Sequence, residues 1–221
     1  MSSSDAHAHA APRHPNLADH FETIEKQDHA VRLGMWLFLG TEVLLFAGLF
    51  LGYSVYRHFY HDTFRAASHH LSLTLGTVNT IVLITSSFTV AMALYAVKKG
   101  NSKAAAGLLV FTILSAVAFL CIKGVEYHEK FQEGALPGKW FHFHEMQGFP
   151  AANMFYTVYF LTTGLHAFHV IVGMAVLIWV LRRTIRGDFD KDYYIPVELG
   201  GLYWHLVDLV WIFLFPLLYL I

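Results

Sequence analysis

Five stretches of the chain are apolar for long enough to cross a bilayer: 31–55, 71–97, 104–127, 153–181 and 195–221. About 20 apolar residues suffice for one helical crossing. The pattern therefore predicts an all-α, polytopic membrane protein, a bundle of five transmembrane helices. A polar tail, 1–30, precedes the first run. Pro12 and Pro15 argue against a helix early in it. The tail is expected to be cytoplasmic and largely disordered, with a surface helix over 19–30. It has no short apolar core with a small-residue cleavage site, so a cleavable signal peptide is not expected. The third run continues as a more polar helix through Glu126 and Tyr127 to about Phe131. The connections are short except for 133–152. That segment holds Pro137, Gly138, Gly148 and Pro150 together with aromatics and histidines, and it reads as an ordered loop at the membrane surface. No repeat or second soluble domain is visible.

Within the spans the polar positions carry the information. Glu42 lies near the middle of the first, where an unpaired charge costs about 3 kcal/mol or more. Such residues face a bundle interior, and many serve a function. Gly34, Thr41, Gly48 and Gly52 form a narrow stripe at helical spacing beside the Glu42 face, and Gly48 with Gly52 is a GxxxG pair. The stripe predicts close approach of a neighbouring helix. The second span has no charge but many hydroxyls, from Ser72 to Thr89, with Asn79; these are expected to bond across helix interfaces. In the third, Lys123 with Glu126 and Glu126 with Lys130 are neighbours of opposite sign. His166 and His169 lie three apart on the fourth span with no carboxylate beside them on that helix, and they read as packing histidines rather than ligands. On the fifth, Trp204, Asp208 and Trp211 share a face, and the His205 and Asp208 spacing allows a hydrogen bond. That pair reads as a packing lock, with proton relay as the other possibility.

Composition supports a membrane protein: 56% of residues are hydrophobic and 14% charged, with mean hydropathy +0.46. A net charge of −1 gives no reason to expect a nucleic-acid partner. Cys121, the single cysteine, excludes an intrachain disulfide; copper–thiolate chemistry is not expected, and Cys121 reads as a packing residue. No histidine pair within a span has the 13-residue spacing of a two-haem helix. The tail histidines His7, His9, His14, His20 and His29 are too irregular for a metal set. Ten of the 15 Lys and Arg residues lie on the N-terminal side of the predicted topology: Arg13, Lys26, Arg32, Lys98, Lys99, Lys103, Arg182, Arg183, Arg186 and Lys191. The positive-inside rule places that side in the cytoplasm and Ile221 outside, in the periplasm of a bacterial inner membrane.

Four segments carry a family resemblance: GMWLFLGTEVLLFAGLF from Gly34, GVEYHEKF from Gly124, TGLHAFHVIVG from Thr163 and YWHLVDLVWIFLF from Tyr203. With them the chain resembles subunit III of the haem-copper respiratory oxidases, the cytochrome c oxidase kind. The family has a seven-helix form and a five-helix form lacking the first two helices, and this sequence looks like the shorter. The resemblance implies a subunit with no haem or copper of its own. Haem a and copper belong to the partners, subunit I and subunit II, and cytochrome c delivers electrons through the complex. It also implies bound phospholipid, packing on subunit I near a proton-uptake route, and support of turnover stability in an aa3-type enzyme. Glu42 matches an intramembrane glutamate that reacts with carbodiimide in some members. Glu126 matches the glutamate of an EY motif. His166, His169, His205 and Asp208 fall in signature helices as structural or proton-related residues, with no catalytic residue implied. Arg182 and Arg183 stand where basic side chains meet lipid phosphates.

Subunit III of a quinol oxidase shares the fold, and a neighbouring subunit II with a CxxxC copper motif would decide for cytochrome c. A nitric-oxide-reductase accessory protein of the same family is a further alternative. A small proton-coupled transporter using Glu42 and Asp208 would instead show an internal repeat or a helix broken at midplane, and neither is visible.

Overall fold

A computed structural model of the chain describes residues 17–146, 148–191 and 193–221, without the side chain of Lys139. The expectations for the first 16 residues, with His7, His9, His14, Pro12 and Pro15, lie outside the described residues. Six α-helices follow in order: α1 (Ile24–Phe59), α2 (His61–His69), α3 (Leu73–Lys98), α4 (Ser102–Gln132), α5 (Ala152–Arg186) and α6 (Ile195–Tyr219). Five of them, all but α2, are long and apolar enough to span a membrane.

The helix starts are set by short polar side chains that satisfy open backbone N–H groups. Thr23, Ser72 and Asn101 accept from the amides of Lys26, Leu75 and Ala104 at the heads of α1, α3 and α4. Pro196 stands in the first turn of α6, where its missing N–H is no loss. Gly187, at φ 82°, ends α5 in a left-handed conformation that a side chain would strain.

Helices α3, α4, α5 and α6 form a closed antiparallel bundle, each packed along its length on two of the others. Large rings fill its centre: Phe119 stands edge-on to Trp211, their centroids 5.0 Å apart. Small residues let the helices close. A Cβ at Gly173 would meet Trp204 at 2.9 Å, and one at Gly76 would meet Phe215 at 2.8 Å. Helix α1 instead leans on the seam between α5 and α6, burying only Leu39, Phe46 and Tyr53.

Several sequence expectations are corrected. The surface helix expected over 19–30 is the first turns of α1, which runs unbroken from Ile24 into the span. Helix α2, strongly amphipathic, closes one end of the bundle. Its Phe64 is fully buried between Tyr53 and Phe155, and Thr63 donates to the carbonyl of Pro150 in the long loop. Among the described residues the glycine stripe of α1 meets no neighbouring helix: nothing lies within 4 Å of a Cβ placed at Gly34, Gly48 or Gly52. Cys121 is exposed on the apolar outer surface rather than packed.

Candidate functional site: an intramembrane acid–imidazole pair

Glu42 is turned into the seam and meets His169 across it, Oε2 to Nε2 at 2.9 Å. The two side chains are 16% and 9% exposed, so the pair is screened by protein yet lies close to the lipid-facing edge. Glu42 is 18 residues into α1, about 27 Å along a helix at 1.5 Å per residue, and His169 is equally central in α5. The ring of Phe46 stands edge-on to the imidazole, 5.2 Å away. Tyr203 of α6 packs on Phe38 of α1 and points its hydroxyl at the His169 carbonyl.

The other ring nitrogen fixes the proton count. Nδ1 of His169 lies 2.8 Å from the carbonyl oxygen of Leu165. A carbonyl only accepts, so Nδ1 carries a hydrogen. Completing the contact between Nε2 and Oε2 then takes one further proton. It rests on the carboxyl, giving a neutral acid and a neutral imidazole, or on Nε2, giving a carboxylate and an imidazolium. Both arrangements are neutral overall, which suits an apolar depth where a lone charge is costly. The pair can therefore hold a proton in either of two places without changing its net charge.

The remaining candidates are distributed differently. His166, fully buried, is packed by Phe119 and Trp211, and neither ring nitrogen has a hydrogen-bond partner among the described residues. The hydrogen bond that spacing allowed between His205 and Asp208 is not formed. Nδ1 of His205 lies 2.6 Å from Ser87 Oγ on α3, and both Asp208 oxygens are buried without a bond among the described residues. Glu126 is fully buried and held by Lys123 at 2.9 Å. Lys130 turns away from Glu126 to Glu133 and to the carbonyl of His70. Arg183 donates to Asp188 at 2.9 Å and stacks on Trp179 and Phe189, while Arg182 is exposed.

The hydroxyls of α3 divide two ways. Among the described residues, Thr77 and Thr85 bond only the carbonyl four residues earlier. Thr80 and Ser86 also accept from the indoles of Trp211 and Trp204, and Thr89 bonds Thr112. Among the described residues no cluster of three or more His, Cys, Asp or Glu could hold a metal ion. Sequence reasoning missed the partnership of Glu42 with His169 because spacing relates residues on one helix. Tyr203, Tyr159 and Tyr219 gave no signal beyond being tyrosines inside spans.

Four bundled apolar helices, with a fifth laid over a polar seam between two of them, define the class: a polytopic helical membrane protein with ionisable groups paired in its interior. The family model described as cytochrome c oxidase subunit III matches residues 16–221, and the chain belongs to that family. A cytochrome c oxidase subunit 3 of Alkalihalophilus pseudofirmus is 31% identical over 209 residues, covering 95% of this chain and 92% of that protein. A probable cytochrome c oxidase subunit 3 of Nocardia farcinica is 30% identical over 191 residues, 86% of this chain and 88% of that one. The cytochrome c oxidase subunit 3 of Coturnix japonica is 29% identical over 214 residues, with 90% and 72% covered.

Proposed function

We infer that the chain is the non-redox subunit III of an aa3-type cytochrome c oxidase in a bacterial inner membrane, with its N-terminus in the cytoplasm. It packs on subunit I, with subunit II in the same complex, and supports proton uptake, lipid binding and turnover stability while its partners carry haem a, copper and the electrons from cytochrome c. The observation that carries this reading is the Glu42–His169 pair. The contact supports the reading because it can hold an exchangeable proton without net charge, midway along α1, the least enclosed of the long helices. Such a pair suits a subunit that assists proton movement in a neighbour and performs no electron chemistry itself.

The lipid part of the reading has separate support. A groove of about 430 Å³ runs between α1 and the α5–α6 face, lined by Val31, Met35, Val172, Trp179 and Leu199. That volume suits one acyl chain. Arg182 is exposed three residues beyond Trp179 and offers its guanidinium to a headgroup phosphate; Arg183 already serves Asp188.

The test is purification through a tag on this chain. The complex is expected to show an oxidase haem spectrum and to contain subunits I and II, whereas the chain stripped of them holds less than stoichiometric iron and copper. A haem spectrum that travels with this chain alone overturns the reading.

A further inference from the structure

The α2 end of the bundle contains a buried ionic cluster that the acid–imidazole pair does not involve. Lys123 of α4 is 4% exposed and Glu126 is fully buried. The ammonium donates to Glu126 Oε2 at 2.9 Å, to Tyr219 Oη at 2.8 Å and to Tyr159 Oη at 3.3 Å. Both phenols in turn donate to the other carboxylate oxygen, Tyr159 at 2.9 Å and Tyr219 in a close contact. Four rings surround the ammonium, those of Tyr127, Tyr159, Trp211 and Tyr219, with centroids 5.1 to 5.7 Å away. An aromatic cage around a cation is a form of recognition site, and here the chain fills it with its own lysine.

The cluster joins three helices, with Lys123 and Glu126 from α4, Tyr159 from α5 and Tyr219 from the last turn of α6. That last turn keeps a backbone bond from Leu220 to the Pro216 carbonyl but lies beyond a gap in the helix's own hydrogen-bond ladder. Pro216 stands inside α6 and has no N–H for the carbonyl four residues earlier. Beyond it the backbone is held from outside as well, since Tyr53 of α1 donates to the carbonyl of Leu217.

We propose that Lys123, Glu126, Tyr159 and Tyr219 form a clasp that fixes the final turn of α6, past its proline, against α4 and α5. A buried ion pair adds little net stability over apolar residues of the same shape, but breaking it on one side strands a charge. The clasp therefore sets position: α6 closes in one register, the one that brings Tyr219 to Glu126 and Lys123.

The experiment compares the full chain in lipid nanodiscs with Lys123→Met, Glu126→Gln, the double variant and Tyr219→Phe. Each charge variant alone is expected to lower the thermal unfolding midpoint by about 10 °C. The double variant, which buries no unpaired charge, is expected to recover at least half of the summed loss. Amide exchange over 214–219 should rise at least tenfold in Tyr219→Phe and in either single charge variant, while the middle of α3 stays unchanged. A single variant that does not accumulate while the double does also supports the clasp. Additive losses, a double variant that fails as badly as the singles, or unchanged exchange over 214–219 would overturn it.

Discussion

Replacing Glu42 by glutamine and by alanine separates two things its carboxyl does. Glutamine keeps the contact, because its amide donates to the Nε2 lone pair that the Nδ1–H of His169 leaves available. Glu42→Gln is expected to unfold within about 1 kcal/mol of the parent yet to lose the exchangeable proton; in the oxidase it should shorten turnover lifetime. Glu42→Ala strands a buried imidazole nitrogen and should cost about 1–3 kcal/mol as well. Thermal unfolding of both variants, beside their turnover decay, checks this; equal destabilisation by both would show that the contact is not a hydrogen bond of the kind described. Glycines give a second contrast. Gly173→Ala drives a Cβ to 2.9 Å from Trp204, a ring with no exposed surface, and should cost about 1–3 kcal/mol. Gly48→Ala meets none of the described residues and should be neutral or slightly stabilising, since alanine is the better helix former by about 1 kcal/mol. Urea or thermal titration of the two variants in the same detergent decides the point. Sequence spacing marked Glu42 as a residue facing protein but could not name His169, 127 positions away, because periodicity relates neighbours on one helix and is silent on which helices meet.

At the scale of elements, α1 is the span with the weakest hold. It buries three residues, whereas α5 and α6 each bury thirteen. Local opening follows buried contact, so amide exchange in α1 is expected to exceed that in the middle of α5 in the isolated chain. Exchange measured by mass spectrometry that ranks α5 as the faster would contradict this. The five long helices were legible because a run of twenty apolar residues has one solution in lipid. Helix α2 was not. It has nine residues and a polar average, and only its one buried stripe around Phe64 holds it on the bundle. The start of α1 was misplaced for a related reason: its first turns are polar, yet the Thr23 cap continues them into the span without a break. The hydroxyls of α3 were legible as polar but not by partner, since the indoles of Trp204 and Trp211 select Ser86 and Thr80 only once α6 is packed.

At the scale of the molecule, the proposed orientation follows from ten basic residues on one side against five on the other. A reporter enzyme fused after Ile221 is expected to be active only if it needs the periplasm; activity of a cytoplasm-requiring reporter at that position would reverse the topology. The central claim is that the chain sustains the oxidase without taking part in its electron chemistry, with Glu42 and His169 holding an exchangeable proton beside subunit I. Oxygen consumption by the purified complex, followed over many turnovers with and without this chain, tests it most directly. The account predicts unchanged haem content, an initial rate largely retained on removal, and activity that then decays turnover by turnover. An unchanged turnover lifetime, or immediate and complete loss of oxygen reduction with the haem-copper site intact, would contradict it.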